Sequence, residues 1–285
     1  MHLDSTGGQT RRILEEQGIE TFVADTMMRV ESRPHTVKSG EGLMIILRGI
    51  NRNAGADPED MVSIRIWAEP ARMLSVRFRP VRAPQMILEE LNDGRGPQSI
   101  AELVIAIIEK IADGIAAFVD DIEERMEIYE QRIEEGAKSE IRGDISAVRR
   151  QLAVVRRYLA PQREALDTLY RYAGGHFDDE ETYALREQSY RMTRYIEDLY
   201  LVRERAMVAQ EELMNRVAHE QNARTYLFSV VATIFLPITF ISGVFGMNTA
   251  GLPGLDYSPA FWIVAAVMGV TSAAIVIWLR FKKWF

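Results

Sequence analysis

Two stretches near the C-terminus lack charged side chains, and this feature constrains the fold most strongly. Residues 226–245 read YLFSVVATIFLPITFISGVF and residues 260–279 read AFWIVAAVMGVTSAAIVIWL, without one Asp, Glu, Lys or Arg. A helix of about 20 residues spans the ~30 Å hydrocarbon core of a bilayer. Helices in soluble cores seldom run this long without a polar face. The sequence therefore predicts two transmembrane helices rather than a buried helical pair.

Basic residues flank these two spans on one side only. The connection between them, residues 246–259, contains no lysine or arginine, whereas the flanks contain Arg216, Arg224, Arg280, Lys282 and Lys283. By the positive-inside rule we expect both termini in the cytoplasm and the connection outside. Two helices cannot enclose an aqueous path, so conduction by this chain requires an oligomer.

The amino-acid composition excludes several classes of function. The 285 residues include no cysteine, which excludes disulfides, thiolate metal sites and cysteine nucleophiles. A net charge of −7 argues against nucleic acid as a partner. We find no glycine-rich phosphate loop and no catalytic triad pattern, so we expect no enzyme activity. Residues 176–181 (HFDDEE) come closest to a metal cluster, but we interpret them as a helix start capped by Asp178 rather than a zinc site.

The N-terminal third has the texture of a small α/β domain, which we place at residues 1–95. Short β-like runs occupy residues 43–48, 61–67 and 73–78, and the last two are rich in β-branched residues. The break at residues 69–72 (EPAR) indicates a hairpin between them.

From residue 96 onward the pattern is helical, with a cytoplasmic helical region at 96–224 and a transmembrane domain at 225–285. Ser99 and Glu102 form a capping box that starts a helix ending at Gly136. A second helix is predicted over residues 140–173, with Pro161 inside it.

A third helix is predicted from Glu180 to Phe245, because no glycine or proline interrupts the chain before Pro237. Its cytoplasmic part carries apolar residues at three-and-four spacing, which predicts packing against copies of itself or against a neighbouring helix. These residues are Leu185, Met192, Ile196, Leu199, Ala206, Leu213 and Val217.

Residues 246–248 (GMN) directly follow the first span, after residues 235–243 (FLPITFISG), and precede a short loop, the second span and a basic end. This arrangement resembles the signature of the CorA metal ion transporter family. Further stretches are similar to its ZntB-like zinc transporter branch. They are residues 47–51 (LRGIN), 56–61 (ADPEDM), 157–163 (RYLAPQR), 249–254 (TAGLPG) and 280–285 (RFKKWF).

The resemblance implies an architecture: an α/β N-terminal cytoplasmic domain, long stalk helices and two C-terminal transmembrane helices, assembled as a homopentamer in a bacterial inner membrane. It implies an outer selectivity filter of Gly246, Met247 and Asn248, in which Asn248 holds a hydrated cation. Asp256 is the acidic residue of the outer loop.

The family pattern, together with the spacing of small and hydroxylated residues, places further side chains along the pore. These pore-lining residues are Ala232, Leu236, Thr239 and Gly243, and Leu236 is the candidate hydrophobic constriction. Spacing alone leaves both pore lining and helix packing open, and helix packing is the commoner of the two. The resemblance implies no cofactor apart from the transported divalent cation.

The resemblance also implies a substrate, Zn²⁺, with uptake coupled to protons, and a native chain that starts upstream of Met1. The residues themselves give no reason to prefer zinc, since no imidazole or thiolate lies on the candidate pore stripe. Two alternatives therefore stay open: a CorA-type Mg²⁺/Co²⁺ channel and a membrane-anchored helical scaffold that transports nothing.

Overall fold

The computed structural model describes residues 1–5, 8–136, 140–247 and 259–282. The chain divides into two compact units, Met1–Leu213 and Met214–Phe285. The strands are β1 (His2–Asp4), β2 (His35–Ser39), β3 (Gly42–Gly49), β4 (Val62–Glu69) and β5 (Arg72–Arg77). The helices are α1 (Thr10–Glu16), α2 (Thr21–Met27), α3 (Arg82–Asn92), α4 (Ile100–Glu134), α5 (Glu140–Arg171), α6 (Asp179–Phe245) and α7 (Ala260–Phe281).

The strands form one sheet in the order β1-β5-β4-β3-β2, in which β1 runs parallel to β5 and the other pairs are antiparallel. The predicted hairpin at residues 69–72 is confirmed, because β4 and β5 pair up to Glu69 opposite Arg72. The Glu69 carboxylate holds this turn: it accepts from Trp67 Nε1 at 2.8 Å and from Arg72 Nε at 2.6 Å.

Both faces of the sheet are covered at β3, which is apolar from Leu43 to Leu47. Alternate residues of β3, Leu43, Ile45 and Leu47, belong to the core shared with α4 and α5. Met44, between them, belongs with Trp67 to a second core under α1 and α2. A strand buried on both faces reads as a continuous hydrophobic run, which explains the sequence LMIIL.

Side-chain caps begin α4 and α6 at the predicted places. The Ser99 hydroxyl accepts from the Glu102 amide at 2.9 Å. At the start of α6 the Asp178 carboxylate accepts from the Glu181 amide, and the Glu181 carboxylate accepts from the Asp178 amide, both at 2.8 Å. The interpretation of residues 176–181 as a helix start is therefore confirmed.

The apolar stripe on the first part of α6 packs within its own chain. Leu185, Met192, Leu199 and Ala206 are 0–1% exposed and belong to the core that contains the apolar faces of α4 and α5. Of the two alternatives left by the spacing, the neighbouring helix is correct for this part of the stripe. An opposite face of α6 is thereby left exposed, including Leu201 at 60% and Val208 at 66%.

Three motifs that are distant in sequence meet at Arg48. Its amide donates to Gln162 Oε1 at 2.7 Å, its guanidinium lies 4.2 Å from the centre of the Tyr158 ring, and Nη1 donates to the Met61 carbonyl at 3.1 Å. Burial lowers the pKa of Arg48. The stretches LRGIN, ADPEDM and RYLAPQR thus hold the sheet against α5.

Another arginine, Arg65, is completely buried. Arg65 is 0% exposed, and burial, reinforced by the charge of Arg48, lowers its pKa to about 10. Its Nη2 donates to the carbonyls of Arg29 and Val30 at 2.8 and 3.0 Å, and Phe78 lies against the guanidinium at 4.4 Å. Arg65 therefore ties the loop after α2 to the sheet through carbonyls rather than carboxylates.

Gly42, at the start of β3, offers a sharp test of packing. A Cβ added there would lie 2.0 Å from Trp67 Cζ2, so Gly42→Ala must displace a buried indole. We expect a loss of about 1–3 kcal/mol of stability, seen as a lower midpoint of thermal unfolding by circular dichroism.

Gly143 in α5 is the matched control, because a Cβ there would meet no atom within 4 Å. Gly143→Ala should leave the midpoint unchanged or raise it slightly, since alanine favours a helix interior. Equal midpoints for Gly42→Ala and Gly143→Ala would contradict the described Gly42–Trp67 packing.

Candidate ion pathway

The second unit contains the end of α6 and all of α7, and both helices are long and apolar enough to cross a membrane. In the most apolar 18-residue stretch of α6, 6% of the residues are buried, and in that of α7 none is buried. A core helix of a soluble protein would be mostly buried, so these helices leave apolar surface for a lipid or protein environment.

Each of these helices has one partly covered face. On α6 Val230 is 3% exposed, and on α7 Leu279 is 0% exposed. Half-buried residues continue both faces at three-and-four spacing, which is typical of an antiparallel helix pair. They are Ile234, Pro237, Ile238, Ile241 and Val244 on α6, and Val264, Met268, Thr271, Ser272 and Ile275 on α7.

The predicted pore residues lie on the opposite, exposed face of α6. Each one follows a covered residue by two positions, which is a rotation of about 200° around the helix. Leu236 is 70% exposed and Met247, beyond the helix end, is 49% exposed. The other exposed members of this face are Ala232, Thr239, Gly243 and Gly246. The structure thus brings the described candidates onto one face.

Two candidate residues, Asn248 and Asp256, lie outside the described residues. The described chain reaches the filter through Gly246, whose amide donates to the Ser242 carbonyl at 2.8 Å, and Met247, whose amide donates to the Val244 carbonyl at 3.3 Å. The chain therefore leaves α6 by a tight turn immediately before Asn248.

The serine and threonine hydroxyl groups within residues 226–245 of α6 donate to the backbone of the same helix. Ser229 donates to the Thr225 carbonyl at 2.9 Å, and Thr239 donates to the Phe235 carbonyl at 2.8 Å. This satisfies the hydroxyl proton without a second helix, as a lipid environment requires. The lone pairs of the Thr239 oxygen can still accept hydrogen bonds from water on the exposed face.

Two positions on this face, Gly243 and Gly246, carry no side chain. A Cβ added to Gly243 would meet no atom within 4 Å, whereas one added to Gly246 would lie 3.1 Å from the Ser242 carbonyl oxygen. Gly243 leaves room for close approach of another helix or of hydrated ions. At position 246 a side chain would instead crowd the Ser242 carbonyl in the turn that ends α6.

In the first unit, acidic side chains of α4 and α6 face each other, an arrangement that sequence reasoning missed. Burial raises the pKa of Glu123, and the nearby charges of Asp198 and Asp120 raise it further. The spacing of Asp120, Glu123 and Glu127 on α4 could have shown that these carboxylates share a face. Asp198 could not be placed there from sequence, because its proximity depends on how α6 packs.

Among the described residues no group of three or more histidine or acidic side chains is arranged to hold a metal ion.

Comparison with protein families identifies the class. Residues 1–283 match the family described as CorA-like Mg²⁺ transporter protein, and the chain belongs to this family. Its members transport divalent cations and are not enzymes.

Individual relatives give a closer context. The chain is 34% identical to the divalent cation transporter CmaX of Pseudomonas aeruginosa over 271 residues, covering 94% of this chain and 81% of CmaX. It is 32% identical to the zinc transport protein ZntB of Pectobacterium atrosepticum over 285 residues, covering 100% of this chain and 87% of that protein.

Solved structures agree with this fold. Full-length CmaX superposes with a TM-score of 0.87 at 32% identity, covering 99% of this chain and 87% of CmaX. The CorA magnesium transporter of Methanocaldococcus jannaschii superposes with a TM-score of 0.83, covering 98% of this chain and 88% of that one. Its 19% identity supports the shared fold alone. The expected fold, with an N-terminal α/β domain, a long helix and two apolar C-terminal helices, is confirmed, whereas the homopentamer stays a prediction.

The acidic contact at Glu123 predicts a pH dependence of stability. A carboxyl whose pKa is raised by folding binds more protons in the folded state, so stability falls as pH rises above the ordinary pKa of about 4.3. Glu123→Gln should therefore raise the midpoint of thermal unfolding at about pH 7, and the gain should vanish near pH 4.

Glu124→Gln is the control, because Glu124 is the exposed next residue. A gain of the same size for both variants, or a gain for Glu123→Gln that persists at low pH, would argue against the described environment of Glu123.

Proposed function

We propose that the chain forms a homopentamer that carries Zn²⁺ across a bacterial inner membrane along a central path lined by α6. The observation that carries this proposal is the exposed α6 face from Ala232 to Met247, opposite the face that is covered within one chain. In a ring of five copies these faces surround one axis, and α7 lies outside them.

The proposed filter is chemically suited to a hydrated cation. Asn248 supplies a neutral amide oxygen, and Gly246 and Met247 supply backbone carbonyls. Five copies of such acceptors can hydrogen-bond the water shell of a small divalent ion without removing it. Removal would be slow for an ion such as Mg²⁺, which holds its water tightly.

Below the filter, the proposed path narrows at an apolar ring. Leu236 is the large aliphatic residue on the exposed face, and it is 70% exposed in one chain. Five leucines around an axis resist hydration, so the ring can block ions by excluding water.

Zinc as the substrate is supported by the similarity to proteins named zinc transport protein ZntB, at 32% identity. Proton coupling would need a titratable group along the path, and residues 226–245 contain none. Coupling would then involve the preceding part of α6, where Glu211, Glu212, His219 and Glu220 lie.

Magnesium is the second candidate substrate. The matched family is described as Mg²⁺ transporters, and no imidazole or thiolate lies on the exposed α6 face. Oxygen-only ligands suit Mg²⁺ at least as well as Zn²⁺. The arrangement of basic residues supports both termini in the cytoplasm in either case.

Metal flux into liposomes that contain the purified protein separates these possibilities. We expect Zn²⁺ uptake, increased by a proton gradient and reduced at least about tenfold by Asn248→Ala, because the variant loses the amide that holds the hydrated ion. Mg²⁺ uptake that ignores the gradient would select the channel alternative.

Asn92→Ala, at the exposed end of α3, is the control for the change of asparagine and should transport as the wild type does. Flux of neither ion, with intact assembly by size-exclusion chromatography, would leave the anchored scaffold as the explanation.

The constriction has a separate test. Leu236→Ala should raise the resting leak of divalent ions, measured with an entrapped metal-sensitive dye, because a smaller side chain widens the apolar ring. Val270→Ala on α7 is matched in exposure, also 70%, and should leave the leak unchanged. Equal leaks for the two variants would remove Leu236 from the path.

A further inference from the structure

A cleft of about 240 Å³ opens in the first unit between the start of α3, the loop after β3 and the middle of α4. We call it the α3–α4 cleft. Its apolar wall includes Val81, Met86 and Ile111, and its polar rim includes Arg52, Arg82 and Lys110. Neither the proposed filter nor the proposed constriction uses its residues.

The charge of the cleft is positive after its ion pairs are counted. Lys110 binds Glu90 at 2.6 Å, and Asp113, which also lines the cleft, binds Arg191 at 2.6 Å. Arg52 and Arg82 make no ion pair with the described residues. Two guanidinium groups therefore remain at the rim to balance a negative charge.

The loop that carries Arg52 is held in shape by a buried side chain. Asn51 is 2% exposed, and its Oδ1 accepts from the Asn53 amide at 3.2 Å and from Asn53 Nδ2 at 2.8 Å. Arg52 then reaches across the cleft, where Nη2 lies 3.4 Å from the Gly114 carbonyl oxygen. A hydrogen bond this long is weak, so Arg52 can leave the Gly114 carbonyl for a stronger acceptor with little loss of free energy.

Gly114 keeps the cleft open from the side of α4. It lies in the interior of a 35-residue helix, where glycine is unfavourable relative to alanine, and a Cβ added there would meet no atom within 4 Å. The space in front of it belongs to the cleft. Alanine at position 114 would favour the helix, but its side chain would project into the cleft.

The start of α3 adds backbone donors to this basic rim. Val81 caps the helix without a side-chain hydrogen bond, and the first turn contains no acidic residue. The amides of Arg82 and Ala83 precede the first internal hydrogen bond of the helix, and Pro84 has no amide proton. These amides favour an anion beside the two arginines.

We propose that the α3–α4 cleft binds a small organic phosphate. Two guanidinium groups match the oxygens of a phosphate bidentately, and the wall of Val81, Met86 and Ile111 suits the flat face of an aromatic ring on the same molecule. The volume is several times the ~30 Å³ that one water molecule occupies, so the cleft accommodates more than a single ion. This assignment does not depend on which metal the protein carries.

Isothermal titration calorimetry of the full-length protein in detergent, without divalent cations, tests the proposal with adenosine 5′-monophosphate as the probe. We expect one site per chain, an affinity lowered at least about tenfold in Arg52→Ala/Arg82→Ala, and no binding of adenosine. Gly114→Met, which fills the cleft from α4, should also abolish binding. Arg12→Ala, an exposed arginine of α1, should bind as the wild type does.

Thermal unfolding of each variant shows that it folds, so a loss of binding is read only from variants with an unchanged midpoint. No binding of the probe, or equal binding in Arg52→Ala/Arg82→Ala, would overturn the proposal. Inorganic phosphate that binds as tightly as the nucleotide would also overturn it, because the apolar wall would then contribute nothing. Metal flux in liposomes is independent of these results.

Discussion

The membrane helices depend on one constraint: in hydrocarbon, every backbone polar group and every hydroxyl must find its partner inside the protein. The end of α6 meets this constraint within a single helix, where hydroxyls such as Thr239 donate to carbonyls one turn earlier. Since backbone and hydroxyl protons are satisfied locally, the side-chain faces are free to differ. One face is covered within the chain, and the other presents Leu236 and the small residues around it.

The first unit solves a different problem, which is to bury a sheet on both faces. Strand β3 contributes alternate residues to two cores, and Arg48 joins the sheet to α5 through Gln162 and the Tyr158 ring. Arg65 is buried beside it and donates to two carbonyls and the Ser63 hydroxyl. Buried cations of this kind depend on the geometry of the surrounding loops, so these loops are fixed by electrostatics as much as by apolar contact.

Sequence reasoning succeeded where the signal is local. The spans follow from uninterrupted apolar composition, the helix starts from Ser99 and Asp178, and the hairpin from the break at residues 69–72. It could not show that Arg48 meets Gln162, that Asp198 approaches Glu123, or that Arg52 and Arg82 share a cleft, because these pairs join elements far apart in sequence. Asn248 and Asp256 stay predictions, as does the lining of a pore by the α6 face.

Both hydrophobic cores of the first unit are built from residues that precede Met214, whereas the apolar spans come afterwards in the chain. A growing polypeptide releases its N-terminal part first, and domains fold as units during synthesis. Every residue of both cores therefore leaves the ribosome before the first span does. The cores of the first unit can thus close without any residue of the spans, and the spans, which emerge later, bury their apolar surface last.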